Sequence, residues 1–462
     1  MRGNKDFLTG KLIGGMNVKL LVVALFLLIL LVPGLGSAEA RDDYSEAYKL
    51  YIAAGVSAAT YNDRIGEMAS RYLEQDGWKI DRYVQNQGKA GARFILAQKD
   101  LGDGRQTFFL AFVGTETKED VKFDLKVDKA YFAGKSIKEL EENAAKQNVP
   151  TTEPKVHRGF LQYVKSMLEA KAANAEGKYL PLRDILVGNK DAKLYLVGHS
   201  LGGAAAIITG AGLVNTGVSP EQIEVITFGS PAAGNAAFAA SYDNVLKVTR
   251  VVISGDVVTG VLQSLVGGYK QFGRKITLEL PELSDQPHRI SEYVDLVMKN
   301  YYTQRQHEAR SDKVNKADSK GAEIYIAPLK NNLSPRLDAD FWYMREAWRD
   351  EYKRKFSGCT LGNDGDDWRQ KAKEYRWVIV PEVSSIIVKK ERNKYYITLN
   401  QTIYENGVIV EMADFSTGNY NLTPLEAFIH GLRDVNEDRI IKREIKRGRG
   451  SVLYKINTFL LF

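Results

Sequence analysis

The heptapeptide Val197-Gly198-His199-Ser200-Leu201-Gly202-Gly203 constrains this chain more than any other stretch. It joins an apolar run, KLYLVG (193–198), to a small-residue run, GGAAAIITGAGLV (202–214). The first reads as a buried strand and the second as a helix, so Ser200 falls on a very tight strand-to-helix turn. Side chains at 198 and 202 would collide across that turn, and glycine is expected at both. A helix starting directly after the serine points its N-terminal N–H groups and positive dipole end at the serine's surroundings. The competing reading is a glycine-rich turn that only packs a helix against a sheet.

The rest of the pattern supplies the sheet. RFILAQ (93–98) and TFFLAFV (107–113) read as strands joined by a turn at 101–104. IEVITF (223–228), KVTRVVI (247–253) and RKITLEL (274–280) follow. Helical spacing marks 43–62, 64–75, 157–175 and 291–302. Strand–helix alternation of this kind implies a parallel sheet covered by helices. From about residue 300 the character changes. Residues 301–320 are polar and read as a boundary or long surface loop. A charged aromatic helix is expected at 338–356, then strands separated by a turn at Glu405-Asn406-Gly407. The expected division is a leader (1–40), an α/β domain (41–300) and a mixed α+β region (301–462).

Composition excludes several classes. Hydrophobic residues make up 44% and charged residues 26%, as in ordinary globular chains. A net charge of +7 over 462 residues is weak support for nucleic-acid binding, and none is expected. The single cysteine, Cys359, rules out an intrachain disulfide or a C-x-x-C zinc site. Lys19 precedes an unbroken apolar run, residues 20–32, broken by Pro33-Gly34 and followed by Ala38-Glu39-Ala40. That run is shorter than the ~20 residues of a transmembrane helix. It has the form of a secretory signal with a small–x–small cleavage site, retention as an N-terminal anchor being the alternative. The chain is therefore expected to be secreted or periplasmic. Met16 is an alternative start.

Gly198-His199-Ser200-Leu201-Gly202-Gly203-Ala204 resembles the class 3 lipase family. So do Phe112-Val113-Gly114-Thr115, Val156-His157-Arg158-Gly159-Phe160, and Thr227-Phe228-Gly229-Ser230-Pro231 with Gly234-Asn235. These segments occur in the family's order and cover roughly 45–300. The resemblance implies an α/β-hydrolase with a mostly parallel central sheet, and a serine esterase or lipase acting on lipid or other acyl esters. Peripheral contact with a lipid surface is compatible with it. Val113 stands where the family usually has arginine, and Thr259 where proline commonly follows the acid. The segment after Thr115, where fungal members carry an apolar lid, is charged; Lys135 to Lys146 is a second charged candidate for a cover.

An α/β-hydrolase orders its triad serine, acid, histidine. Asp256, just past KVTRVVI, fits the acid, whereas Asp243 precedes its strand and Asp285 is too near the histidine. Three histidines follow: His288, His307 and His430. His288 opens a helix after a short loop and has a tyrosine five residues on, as family members often do. His307 is the main rival. His157 precedes the serine and reads as structural; His199 is expected to point off the opposite side of the turn. The oxyanion donors are expected to be the N–H of Leu201 and that of Thr115. No metal or organic cofactor is required by this chemistry. A phospholipase A1-type activity, an acyltransferase on the same triad, and a non-catalytic envelope scaffold are the alternatives.

Overall fold

The computed structural model describes residues 35–85, 92–100, 105–114, 129–159, 170–265, 268–281, 284, 286–311, 323–356, 358–388, 394–418, 421–433 and 435. The apolar run of the expected leader, Thr115 with the charged segment after it, and the basic run 442–449 lie outside them.

Seven strands form the main sheet: β1 (Lys79–Gln85), β2 (Ala92–Asp100), β3 (Gln106–Phe112), β4 (Lys193–His199), β5 (Ile223–Phe228), β6 (Lys247–Ile253) and β7 (Arg274–Leu278). They lie side by side in chain order. β1–β2 and β2–β3 are antiparallel, and every pairing from β3 to β7 is parallel. The sheet is thus mostly parallel, as the sequence implies. Its inner strands β3–β6 are largely apolar because both faces are covered there, whereas the edge strands β1 and β7 are polar. On β3, Phe108, Leu110 and Phe112 enter one core while Phe109 and Ala111 enter the other. On β4, Leu194 and Leu196 alternate in the same way with Val197.

One face is covered by a helix after β4 (Leu201–Asn215), whose small residues let it approach closely. A Cβ on Gly210 would sit 3.1 Å from Val225. We label the helices α1 (Leu35–Ala58), α2 (Arg64–Gln75), α3 (Leu201–Asn215), α4 (Ile290–Ser311), α5 (Phe341–Lys355) and α6 (Pro424–Leu432). The other face carries α1 and α4. Ala38-Glu39-Ala40 lies within the first turns of α1. Among the described residues no helix is long and apolar enough to cross a membrane.

The C-terminal region builds a second sheet from β8 (Ile324–Ile326), β9 (Lys330–Asn332), β10 (Thr360–Leu361), β11 (Trp377–Ile387), β12 (Tyr395–Glu405) and β13 (Val408–Gly418). The β12–β13 hairpin turns at Asn406-Gly407, both at positive φ, as a tight hairpin needs. Trp348, Trp377 and Leu399 of this region share one continuous core with Leu50, Val56 and Val297 of the α/β part.

Two expected elements differ. Residues 301–311, expected as boundary or loop, continue α4, because Tyr301 and Tyr302 pack with Tyr51 and the α1 face. Lys171–Ala173, expected as helix, is a strand paired with Tyr179–Pro181 across a turn at Asn174–Gly177. The charged stretch 135–146 holds a short helix, Ile137–Ala144, anchored through Leu140 and Ala144.

Candidate active site

The parallel strands all point their carboxyl ends to one edge, where ligands of open α/β sheets gather. β3 ends against Gly114, β4 leads into Ser200, β5 into Gly229, and Asp256 follows β6. Ser200 caps α3 with φ 56° and ψ −130°, a region that non-glycine residues rarely adopt. Such strain costs on the order of 1–3 kcal/mol and is held by its surroundings. Here Ser200 N–H donates to the Phe228 carbonyl at 2.9 Å.

Glycine is required around this turn for more than one reason. A Cβ on Gly198 would lie 2.3 Å from the Gly202 carbonyl carbon, the collision expected from the sequence. On Gly202 the obstacle is different: the Phe112 carbonyl oxygen of β3, at 2.3 Å. The elbow is therefore pressed against the neighbouring strand. Gly114 lies against it too, since a Cβ there would sit 2.8 Å from the His199 carbonyl oxygen and 3.4 Å from Ser200 Cβ.

Ser200, His288 and Asp256 form one hydrogen-bonded line. His288 Nε2 lies 2.9 Å from Ser200 Oγ, and Nδ1 lies 2.9 and 3.0 Å from the two Asp256 oxygens. The carboxylate can only accept, so Nδ1 carries the proton and Nε2 is left to accept from the serine hydroxyl. The Asp256 side chain is fully buried, and two more donors fix it: Tyr293 O–H at 2.7 Å and Val258 N–H at 3.0 Å. Thr259, in the place of the usual proline, donates its hydroxyl to the Asp256 carbonyl at 2.8 Å. His288 keeps 29% of its side chain exposed, so the line opens to solvent at its middle member.

A second layer was not legible in the sequence. His199 does not simply turn away: its Nε2 lies 2.8 Å from the main-chain carbonyl of His288, and its Nδ1 lies 2.7 Å from Tyr61 O–H. A carbonyl only accepts, so Nε2 carries the proton and Tyr61 donates to Nδ1. Burial, reinforced by nearby His288, pushes His199 well below the usual histidine range. It is therefore a neutral ring with one fixed tautomer.

The other expected residues sort as follows. Leu201 is the first residue of α3, where an N–H has no partner inside the helix. Thr115 lies outside the described residues. His307 is exposed near the far end of α4, about 1.5 Å per residue along the helix from His288. His430 is buried in α6, and His157 is buried at the end of a short strand. Asp243 accepts from Gly273 N–H and Asp285 lies outside the described residues. Among the described residues no group of three or more histidines, cysteines or acids could hold a metal ion.

Comparison with known proteins places part of this chain beside lipases and phospholipases. Residues 109–264 match the family model described as Lipase (class 3). A Caenorhabditis elegans lipase is 46% identical over 67 residues, 14% of this chain and 19% of that protein. A phospholipase A1-II of Oryza sativa subsp. indica is 30% identical over 115 residues, 23% of this chain and 29% of that one. The chain thus spans less than a third of either relative's length. The crystal structure of a lipase from Rhizopus microsporus var. chinensis is 22% identical, covering 51% of this chain and 75% of its own, with a TM-score of 0.39. The matched segment, about a third of the chain, holds the elbow serine and Asp256, and in it the chain is similar to the class 3 lipase family.

Proposed function

We propose that this protein is a serine esterase that hydrolyses carboxylic esters of lipids through an acyl-enzyme. The observation that carries the reading is the unbroken line from Ser200 Oγ through His288 to Asp256, each link within 3.0 Å. The family-model match over 109–264 and relatives named lipase and phospholipase A1 support the substrate class.

His288 Nε2 takes the Ser200 proton as Oγ attacks the ester carbonyl carbon. The carbonyl oxygen becomes an oxyanion facing the N-terminus of α3, where Leu201 N–H donates to it. The family resemblance makes Thr115, next in the chain after Gly114, the second N–H donor. Collapse of the intermediate breaks the ester C–O bond, and His288 hands its proton to the departing alcohol. Water then repeats the sequence on the acyl-serine, with His288 as base and then acid. Asp256 holds the ring in its productive tautomer and steadies the imidazolium. The apolar run 20–32 supports export of the chain.

The test is turnover of p-nitrophenyl esters across acyl lengths, together with defined phospholipids. Ester cleavage that Ser200→Ala lowers on the order of 10⁶-fold in kcat supports the reading. A folded protein that cleaves none of these esters would favour a scaffold that binds without chemistry.

A further inference from the structure

A cavity of about 230 Å³ lies where α1, α2, α4 and α5 meet, and neither Ser200, His288 nor Asp256 lines it. Much of its wall is apolar, with Ile52, Met68, Leu73 and Met298 among the lining side chains. Five tyrosines and several polar or charged side chains complete the lining. A dry engineered cavity of about 150 Å³ accepts benzene, so this one has room for a single substituted ring. Methionine sulfur and tyrosine faces both favour an aromatic guest.

Three hydroxyls give the cavity a polar point. Tyr51, Tyr72 and Tyr302 line it, and none of their hydroxyls hydrogen-bonds a described residue. Tyr302 is only 7% exposed. With no partner among the described residues, these hydroxyls are available to a guest in the cavity. All three are neutral phenols: burial pushes Tyr51 up to about 12 and also raises Tyr72 and Tyr302. Each can donate or accept.

The charged side chains that line the cavity are already matched. Asp76 accepts from Tyr48 O–H at 2.9 Å and pairs with Lys99 at 3.2 Å. Asp350 pairs with Arg305 at 2.6 Å, and Glu351 pairs with Arg354 at 2.6 Å and Lys355 at 3.3 Å. A charged guest would enter without a counter-ion, at a high desolvation cost.

We propose that this cavity binds an uncharged aromatic alcohol, with its ring between the tyrosines and methionines and its hydroxyl on Tyr51, Tyr72 and Tyr302. The site is separate from the ester chemistry and does not depend on it.

The test is calorimetric titration of the full chain with 4-methylphenol, toluene and 4-methylbenzoate. The expected result is saturable binding of 4-methylphenol, one per chain, with toluene about tenfold weaker and no binding of 4-methylbenzoate. Tyr302→Phe should bring 4-methylphenol down toward toluene. Gly55→Leu should abolish binding by filling the space. The added Cβ meets only Leu73, at 3.8 Å, so the helix accepts it, and an unreduced unfolding temperature checks the fold. No saturable binding of 4-methylphenol would overturn the proposal. So would binding that survives Gly55→Leu, or an affinity for 4-methylbenzoate equal to that for 4-methylphenol.

Discussion

His199 donates its Nε2 proton to the carbonyl of His288 at 2.8 Å, so the residue before the serine holds the backbone of the histidine that faces that serine. Tyr61 fixes the other nitrogen from the loop after α1. Serine and histidine are thereby referenced to one another through a path separate from their own hydrogen bond.

The first prediction tests that path. Tyr61→Phe keeps the ring and leaves His199 Nδ1 buried without a donor, a cost of about 1–3 kcal/mol. Part of this should appear as a tenfold lower kcat with KM unchanged, and part as a lower unfolding temperature. Steady-state kinetics on a p-nitrophenyl ester and a thermal melt read the two. An unaltered kcat in a folded variant would mean that His288 is held without this contact.

Gly229 makes the second case. Its φ is +59°, and a Cβ there would lie 2.6 Å from Asp256 Oδ2 and 3.2 Å from His288 Nδ1. Gly229→Ala must separate the two groups or displace β5. Misplacement of that size costs on the order of 10²-fold in kcat. Gly177→Ala also sits at positive φ but meets nothing within 4 Å, and serves as the control for backbone strain alone. Equal kinetics for the two variants would contradict the steric account.

These two contacts show how much was readable from residues alone. The elbow was legible because its strand, turn and helix are adjacent in the chain. Asp256 and His288 were legible from their order after the serine and from the strands before them. Tyr61 and His199 were not, since their contact joins residues 138 apart and leaves no local periodicity. The continuation of α4 through 301–311 was hidden for a related reason. Its polar composition reads as loop, while the packing of Tyr301 on Tyr51 that keeps it helical is tertiary. Residues 171–173 carry helical spacing that runs into the turn of a short hairpin, and pairing with 179–181 makes them a strand.

A third prediction concerns pH. Glu426 in α6 is fully buried, close to Asp295 and Glu292, and burial with those acids pushes its carboxyl well above the usual range. The folded state therefore holds a proton that the unfolded chain releases above ~4.5. Glu426 contributes its full stability below that pH and loses it as pH rises toward the folded value. Glu426→Gln removes the proton linkage and keeps an acceptor for Thr423 N–H, now 3.0 Å from Glu426 Oε2. Urea unfolding at pH 5 and pH 8 should show the variant gaining on the parent as pH rises. A difference between the two proteins that does not change with pH would contradict the assignment.

The most direct test of the central claim is active-site labelling. A fluorophosphonate phosphonylates a serine, with loss of fluoride, only when a neighbouring base activates it. Mass spectrometry of the treated protein should find the label on Ser200. His288→Ala should lose both label and turnover, while His307→Ala, altered far along α4, should keep both within a few-fold of the parent. A folded parent whose Ser200 stays unlabelled, or a His288→Ala variant labelled at the parent's rate, would contradict the account.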